Sequence, residues 1–246
     1  MQHQGIKRAI AYSLKPHQLH LCGLSNQVNS VQLLRDYLLG KNEEKSAREI
    51  LNNFKVALAY YQVIANVLGL NDCYDNRVME IYWLGNPDFV IDKQELKKAI
   101  KVIIHHDFPQ LREKEVEELI TKAPSDTILH HSFHVLFSLQ LEQKKDKFLE
   151  QQLNNCLILA GKVVEIRNLN HITVECQPVI IVNNLYQIGF IKKTKVDWDK
   201  DLIPKLKIGQ FVSLHFGTAI EILTEKQVEN LRLCIQKNLD AFNARK

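Results

Sequence analysis

Apolar positions recur at spacings of three and four over about the first 125 residues, the signature of amphipathic helices. Residues 31–39 form a short run of this kind, ended by Gly40. A longer run over 47–70 follows, with Ile50, Leu51, Phe54, Leu58, Tyr61, Ile64, Ala65 and Leu68 on one stripe. Gly69 and the Asn71-Asp72 pair close it. Residues 77–84 read as another short helix, stopped by Gly85-Asn86-Pro87. Asp92 offers an N-cap to a helix through Leu96, Ile100 and Ile103 that ends before Pro109. A charged amphipathic helix spans 112–122. Between 127 and 141 the pattern fits strand and helix equally, and the polar stretch 142–155 reads as a helix tail leading into a linker.

After Cys156 the period changes to two. Runs at 157–166, 172–176, 179–182, 186–191, 211–216 and 219–223 are rich in Val, Ile and aromatics, with Asn, Gly and Pro between them. Thr224 and Gln227 then make a capping box for a helix with Val228, Leu231, Ile235, Leu239 and Phe242 on one stripe. The expected fold class is α+β: a mostly helical domain over 1–150, then a small OB-like β-barrel with a C-terminal helix over 151–246.

Charge divides at the same place. Residues 1–150 carry 19 basic and 19 acidic side chains, and 151–246 carry 13 and 9, so the net +4 of the 246-residue chain belongs to the second part. The most apolar stretch, 56–70, contains Gln62 and Asn66 and is shorter than the roughly 20 residues of a membrane span. No leader peptide is expected from the polar, basic start. Five cysteines, at 22, 73, 156, 176 and 234, without CxxC pairs fit reduced thiols and a cytoplasmic location. The familiar phosphate-binding glycine loops are missing.

Two segments carry a resemblance. Cys156-Leu-Ile-Leu-Ala-Gly-Lys-Val163 is similar to the opening Cys-Leu-x-Ile-Pro-Gly-Lys-Val of the HypC/HupF-type chaperones of NiFe-hydrogenase maturation. Residues 207–223, with Gly209, His215, Gly217 and Ala219-Ile220, resemble that family's second motif. The resemblance implies an accessory protein, not an enzyme. It would hold an iron carrying cyanide and carbon monoxide, the Fe(CN)2CO unit, through the Cys156 thiolate beside His215. The implied partners are a hydrogenase maturation scaffold protein and the hydrogenase large-subunit precursor. A soft thiolate with an imidazole neighbour suits low-spin iron. In this chain 155 residues precede the cysteine, and Ala160 stands where the family has proline.

The N-terminal region resembles an uncharacterised bacterial family through Leu21-Cys-Gly23, Tyr82-Trp-Leu-Gly-Asn86 and 130–137, which brings no activity with it. Its histidines have metal-ligand spacing. His130 and His134 are i, i+4, His131 shares the helical face of His134, and His105-His106-Asp107 forms a second cluster. A metal-dependent enzyme, or a haem- or metal-binding module, is therefore one alternative. Nucleic-acid binding by the barrel is another, through Lys192, Lys193 and Lys195 beside Tyr186, Phe190 and Trp198. The offsetting Asp197, Asp199 and Asp201 make a solvated loop the better reading of those lysines, and no nucleic-acid or membrane partner is expected.

Overall fold

The computed structural model describes residues 2–21, 23, 29–124, 126–141, 147–167 and 170–245. Among them are ten helices and seven strands, so the chain is α+β. It divides into two compact units, Met1–Trp83 with Asp88–Ser125 and Leu84–Pro87 with Asp126–Lys246. No helix among the described residues is long and apolar enough to cross a membrane.

The first unit is helical: α1 (Gln2–Gln18), α2 (Ser30–Leu38), α3 (Glu44–Leu51), α4 (Lys55–Val67), α5 (Asn76–Trp83), α6 (Lys93–Asp107) and α7 (Glu113–Ile120). The stripe over 47–70 is two helices instead of one. At Asn53 and Phe54 the backbone N–H groups turn back to the carbonyls of Ile50 and Leu51 at 3.0 and 2.9 Å, a tighter turn that ends α3. The apolar spacing runs through the break, so periodicity alone does not reveal it. Asp92 caps α6 as expected, accepting from the Gln94 N–H at 2.6 Å. Helix α1 has no conspicuous sequence stripe because its buried face mixes Ile6 and Ile10 with the small Ala9 and Ser13. Small residues bring it close to its neighbours, and a Cβ on Gly5 would stand 1.9 Å from the Tyr74 carbonyl oxygen. Tyr12 stacks on Trp83 with ring centroids 4.9 Å apart, placing the Trp83 ring in the core. Arg48 grips Asp72 with two parallel bonds of 3.0 and 2.7 Å, and that guanidinium holds the carboxyl below the usual carboxylate range.

The second unit contains α8 (His131–Leu141), α9 (Lys147–Cys156), β1 (Leu159–Ile166), β2 (His171–Cys176), β3 (Val179–Val182), β4 (Leu185–Ile188), β5 (Lys192–Asp197), β6 (Phe211–His215), β7 (Thr218–Leu223) and α10 (Glu225–Asn243). The segment that reads equally as strand or helix is thus helical. Residues 142–146 of the polar stretch lie outside the described residues, as does Cys22.

Strands close into a barrel in the order β1-β2-β5-β7-β6, with β6 returning to β1. Its pairs are antiparallel except β5 with β7, which meet in parallel at Asp197 and Thr218. Strand β5 corrects the expectation of a solvated loop at Lys192, Lys193 and Lys195. Only Val196 of its six residues is buried, so no apolar alternation marks it. Cross-strand partners stabilise it instead, Lys193 opposite Glu175 and Asp197 opposite His171. Inside the barrel Val163, Val174, Val212 and Leu214 are buried.

A separate hairpin, β3 with β4, interrupts the barrel between β2 and β5. Asparagines on two helices grip it. Asn154 of α9 exchanges two bonds with the Val179 backbone at 2.7 and 2.8 Å, and Asn243 of α10 does the same with Tyr186 at 2.9 and 2.8 Å. Helix α10 begins at the Thr224–Gln227 capping box. It is tied to α8 by Asn238, whose amide meets Ile128 and Ser132.

Candidate functional site

Helix α9 ends at Cys156, and its last carbonyls need partners that the helix cannot supply. Both partners come from elsewhere in the second unit. The Phe216 N–H donates to the Asn155 carbonyl at 2.8 Å. The His131 ring donates from Nε2 to the Cys156 carbonyl at 3.1 Å. A carbonyl can only accept, so Nε2 carries the proton and Nδ1 is the acceptor nitrogen of a neutral His131.

Around this point several imidazoles gather. The His131 ring lies 5.3 Å from His215, edge-on at 86°, and 5.9 Å from His134. His215 is the last residue of β6 and is 2 % exposed; Cys156 is half-buried. Residues 59 positions apart in sequence thus share one neighbour, His131. Burial, and then the proximity of His215, His134 and His130, push the His131 imidazole well below its ordinary value, which keeps it neutral.

His130 stands just outside α8, fully buried, with Nδ1 accepting from the Ser132 N–H at 3.2 Å and lying 2.8 Å from the Ser132 hydroxyl. The ring adjacent to His134 along the helix is that of His131. His105 and His106 belong to α6 of the first unit, where His105 is exposed and 3.6 Å from a Glu113 carboxylate oxygen. The side chain of Asp107 lies outside the described set. Among the described residues no three His, Cys, Asp or Glu side chains are grouped so as to hold a metal ion.

One residue at the site was passed over by the sequence reading. His215 pairs with Thr218, so Phe216 and Gly217 are the two central residues of the β6–β7 turn. Phe216 has φ of 48°, a left-handed conformation that costs a bulky side chain about 1–2 kcal/mol. Its ring lies 4.8 Å from the His215 imidazole. The signal was available: a Phe-Gly pair between two strand-like runs is a hairpin turn with the wrong first residue.

An open cleft of about 490 Å³ lies on the outer barrel face, lined by Val164, Glu165, Arg167, Thr173, Lys193 and Lys195. Two of its charges, Glu165 and Arg167, pair with each other. The Glu165 carboxylate accepts from Arg167 and from the Thr173 hydroxyl at 2.9 Å, and those donors hold it below the usual range.

A family model described as a family of unknown function, DUF6390, matches residues 1–246, and the chain belongs to that family. No curated protein and no solved structure matches it. The resemblance to HypC/HupF chaperones is overturned, because the matching family spans the full chain and no match to those chaperones is found. The barrel accounts for two of the shared motif positions, Gly161 and Gly217. A Cβ on Gly161 would stand 3.0 Å from Leu214 and Val174, and Gly217 holds a φ of 67° in the turn.

Proposed function

We propose that this member of the DUF6390 family is an accessory protein that holds and hands on a thiophilic metal centre through the Cys156 thiolate, with His215 as its neighbour. The observation that carries the reading is the meeting of the α9 terminus and the β6 terminus at His131. A half-buried cysteine whose own carbonyl is held by a buried, neutral imidazole suits a soft or low-spin metal. A site that groups fewer than three donors among the described residues suits cargo in transit better than a resident cofactor, because the cargo must leave again.

Iron carrying cyanide and carbon monoxide is the cargo this chemistry favours, since such an iron supplies its own strong-field ligands. In that form the protein would act in the cytoplasm during hydrogenase assembly, between a scaffold protein and the large-subunit precursor. The barrel's strand order and its single parallel pair favour an OB-type barrel with the β3–β4 hairpin inserted, a fold that presents ligands on loops and strand ends.

The test is infrared spectroscopy of protein purified without oxygen after co-production with the hydrogenase maturation machinery. Cyanide and carbonyl stretches are expected in the wild type and lost in Cys156→Ser. Bands that persist in Cys156→Ser overturn the ligand assignment. A wild type without bands overturns this cargo.

A further inference from the structure

Two hairpins of the second unit have two-residue turns of the same handed type. Between Val182 and Leu185 the central residues are Asn183 and Asn184, with φ of 50° and 64°. Between His215 and Thr218 they are Phe216 and Gly217, with φ of 48° and 67°. Both therefore require left-handed backbone at both central positions, which Asn and Gly accept and Phe resists. The first hairpin is built from residues that fit its turn. The second keeps an aromatic ring where the turn disfavours one.

The main-chain role of Phe216 does not explain this. Its N–H donates to the Asn155 carbonyl at 2.8 Å, and glycine or asparagine would make that bond with less backbone strain. What only the side chain supplies is the contact with His215, ring to ring at 4.8 Å and tilted by 67°. His131 stands edge-on to the same imidazole at 5.3 Å. His215 is therefore braced from two directions. One brace, His131, is bonded to Cys156 itself, and the other, Phe216, to the residue before it.

We propose that Phe216 is a positioning residue: its ring fixes the His215 imidazole against His131, the ring that holds the Cys156 carbonyl, and the turn accepts backbone strain to keep it there. The proposal rests on the reading of Cys156 and His215 as one site. It distinguishes Phe216 from a packing residue by the sign of two effects. Relieving the turn should leave the fold as stable or make it more so, while the site loosens.

Phe216→Gly and Phe216→Asn test this in the full chain, with Phe216→Tyr as the conservative variant. Thermal unfolding, the alkylation rate of Cys156 by iodoacetamide resolved by peptide mass spectrometry, and the side-chain nitrogen resonances of His215 are measured on each. Gly and Asn should leave the unfolding midpoint unchanged or raised. The alkylation rate should change by about fivefold, and the His215 resonances should shift or broaden. Tyr should behave as the wild type. A lowered midpoint in Gly and Asn, or unchanged alkylation and His215 resonances, overturns the proposal. The failures separate cleanly. Missing infrared bands in the wild type strike the metal reading and leave these readouts valid. Bands present alongside unchanged alkylation strike the role of Phe216 alone.

Discussion

The Nε2–H of His131 donates to the backbone carbonyl of Cys156 across 3.1 Å. That bond closes the end of α9 with a side chain of α8, and it orients the ring whose edge meets His215. Three elements are thereby fixed relative to one another by one imidazole, which burial keeps neutral. Burial and the surrounding histidines resist its protonation, while the bond to the carbonyl favours it weakly by comparison.

A pH dependence follows, with its sign set by the depressed value. The unfolded chain takes up a proton near the ordinary 6.5, and the folded His131 does not until well below that. Unfolded protein then binds more protons than folded protein. Stability is complete above about 6.5 and falls as the pH drops below it, by at most about 1.4 kcal/mol per pH unit for this group. Urea unfolding followed by Trp198 fluorescence, with Trp83 replaced by Phe, should show the loss between pH 6.5 and 5. His131→Gln retains a donor for the carbonyl and removes the titration, so its pH profile should be flatter. An identical slope in that variant would refute the assignment.

Asn238 on α10 is fully buried and uses both ends of its amide. Its oxygen accepts from the Ile128 N–H at 2.8 Å, and its nitrogen donates to the Ile128 carbonyl at 3.1 Å and the Ser132 hydroxyl at 2.8 Å. Asn238→Ala would strand the buried Ile128 N–H just before α8, while the Ile128 carbonyl keeps the His130 N–H, at a cost of about 1–3 kcal/mol. The urea midpoint read through Trp198 should fall accordingly. A change below about 0.5 kcal/mol would mean that water replaces the amide.

The helical character of the first unit was legible because α2, α5 and α6 carry plain stripes and Asp92 is a plain cap. The break between α3 and α4 was not, since Ile50, Leu51, Phe54 and Leu58 keep helical spacing across it. Strand β5 was hidden because only Val196 of its six residues is buried, so no apolar alternation marks it. Cys156 and His215 could be singled out, but through the motif resemblance and not by residue type alone. Their shared neighbour could not, because His131 reaches them only through the packing of α8, which no local pattern encodes. The motif similarity misled for a related reason: small closed barrels ask for glycine at tight interior and turn positions whatever they bind.

Gly5 allows a prediction whose sign opposes helix propensity. In an exposed helix interior, Gly→Ala stabilises by about 1 kcal/mol. Here the added Cβ would stand 1.9 Å from the Tyr74 carbonyl oxygen and 2.9 Å from the Asn76 nitrogen, both backbone atoms with little freedom to retreat. Gly5→Ala should therefore destabilise the first unit by about 3 kcal/mol. Unfolding read through Trp83, with Trp198 replaced by Phe, measures it. A stabilised variant would show that α1 does not pack as described.

Gly161 tests whether the first motif serves the barrel or the site. It lies on β1 opposite Val212 and Cys176, and a Cβ there would meet the Leu214 and Val174 side chains at 3.0 Å. Those side chains can yield by a few tenths of an ångström, so Gly161→Ala should cost about 1–3 kcal/mol through overpacking. If the glycine is there for the barrel, the folded variant should alkylate at Cys156 at the wild-type rate, with unchanged His215 resonances. Reduced stability with both readouts preserved assigns Gly161 to packing. Altered alkylation in a protein of full stability would instead place the glycine in the machinery of the site.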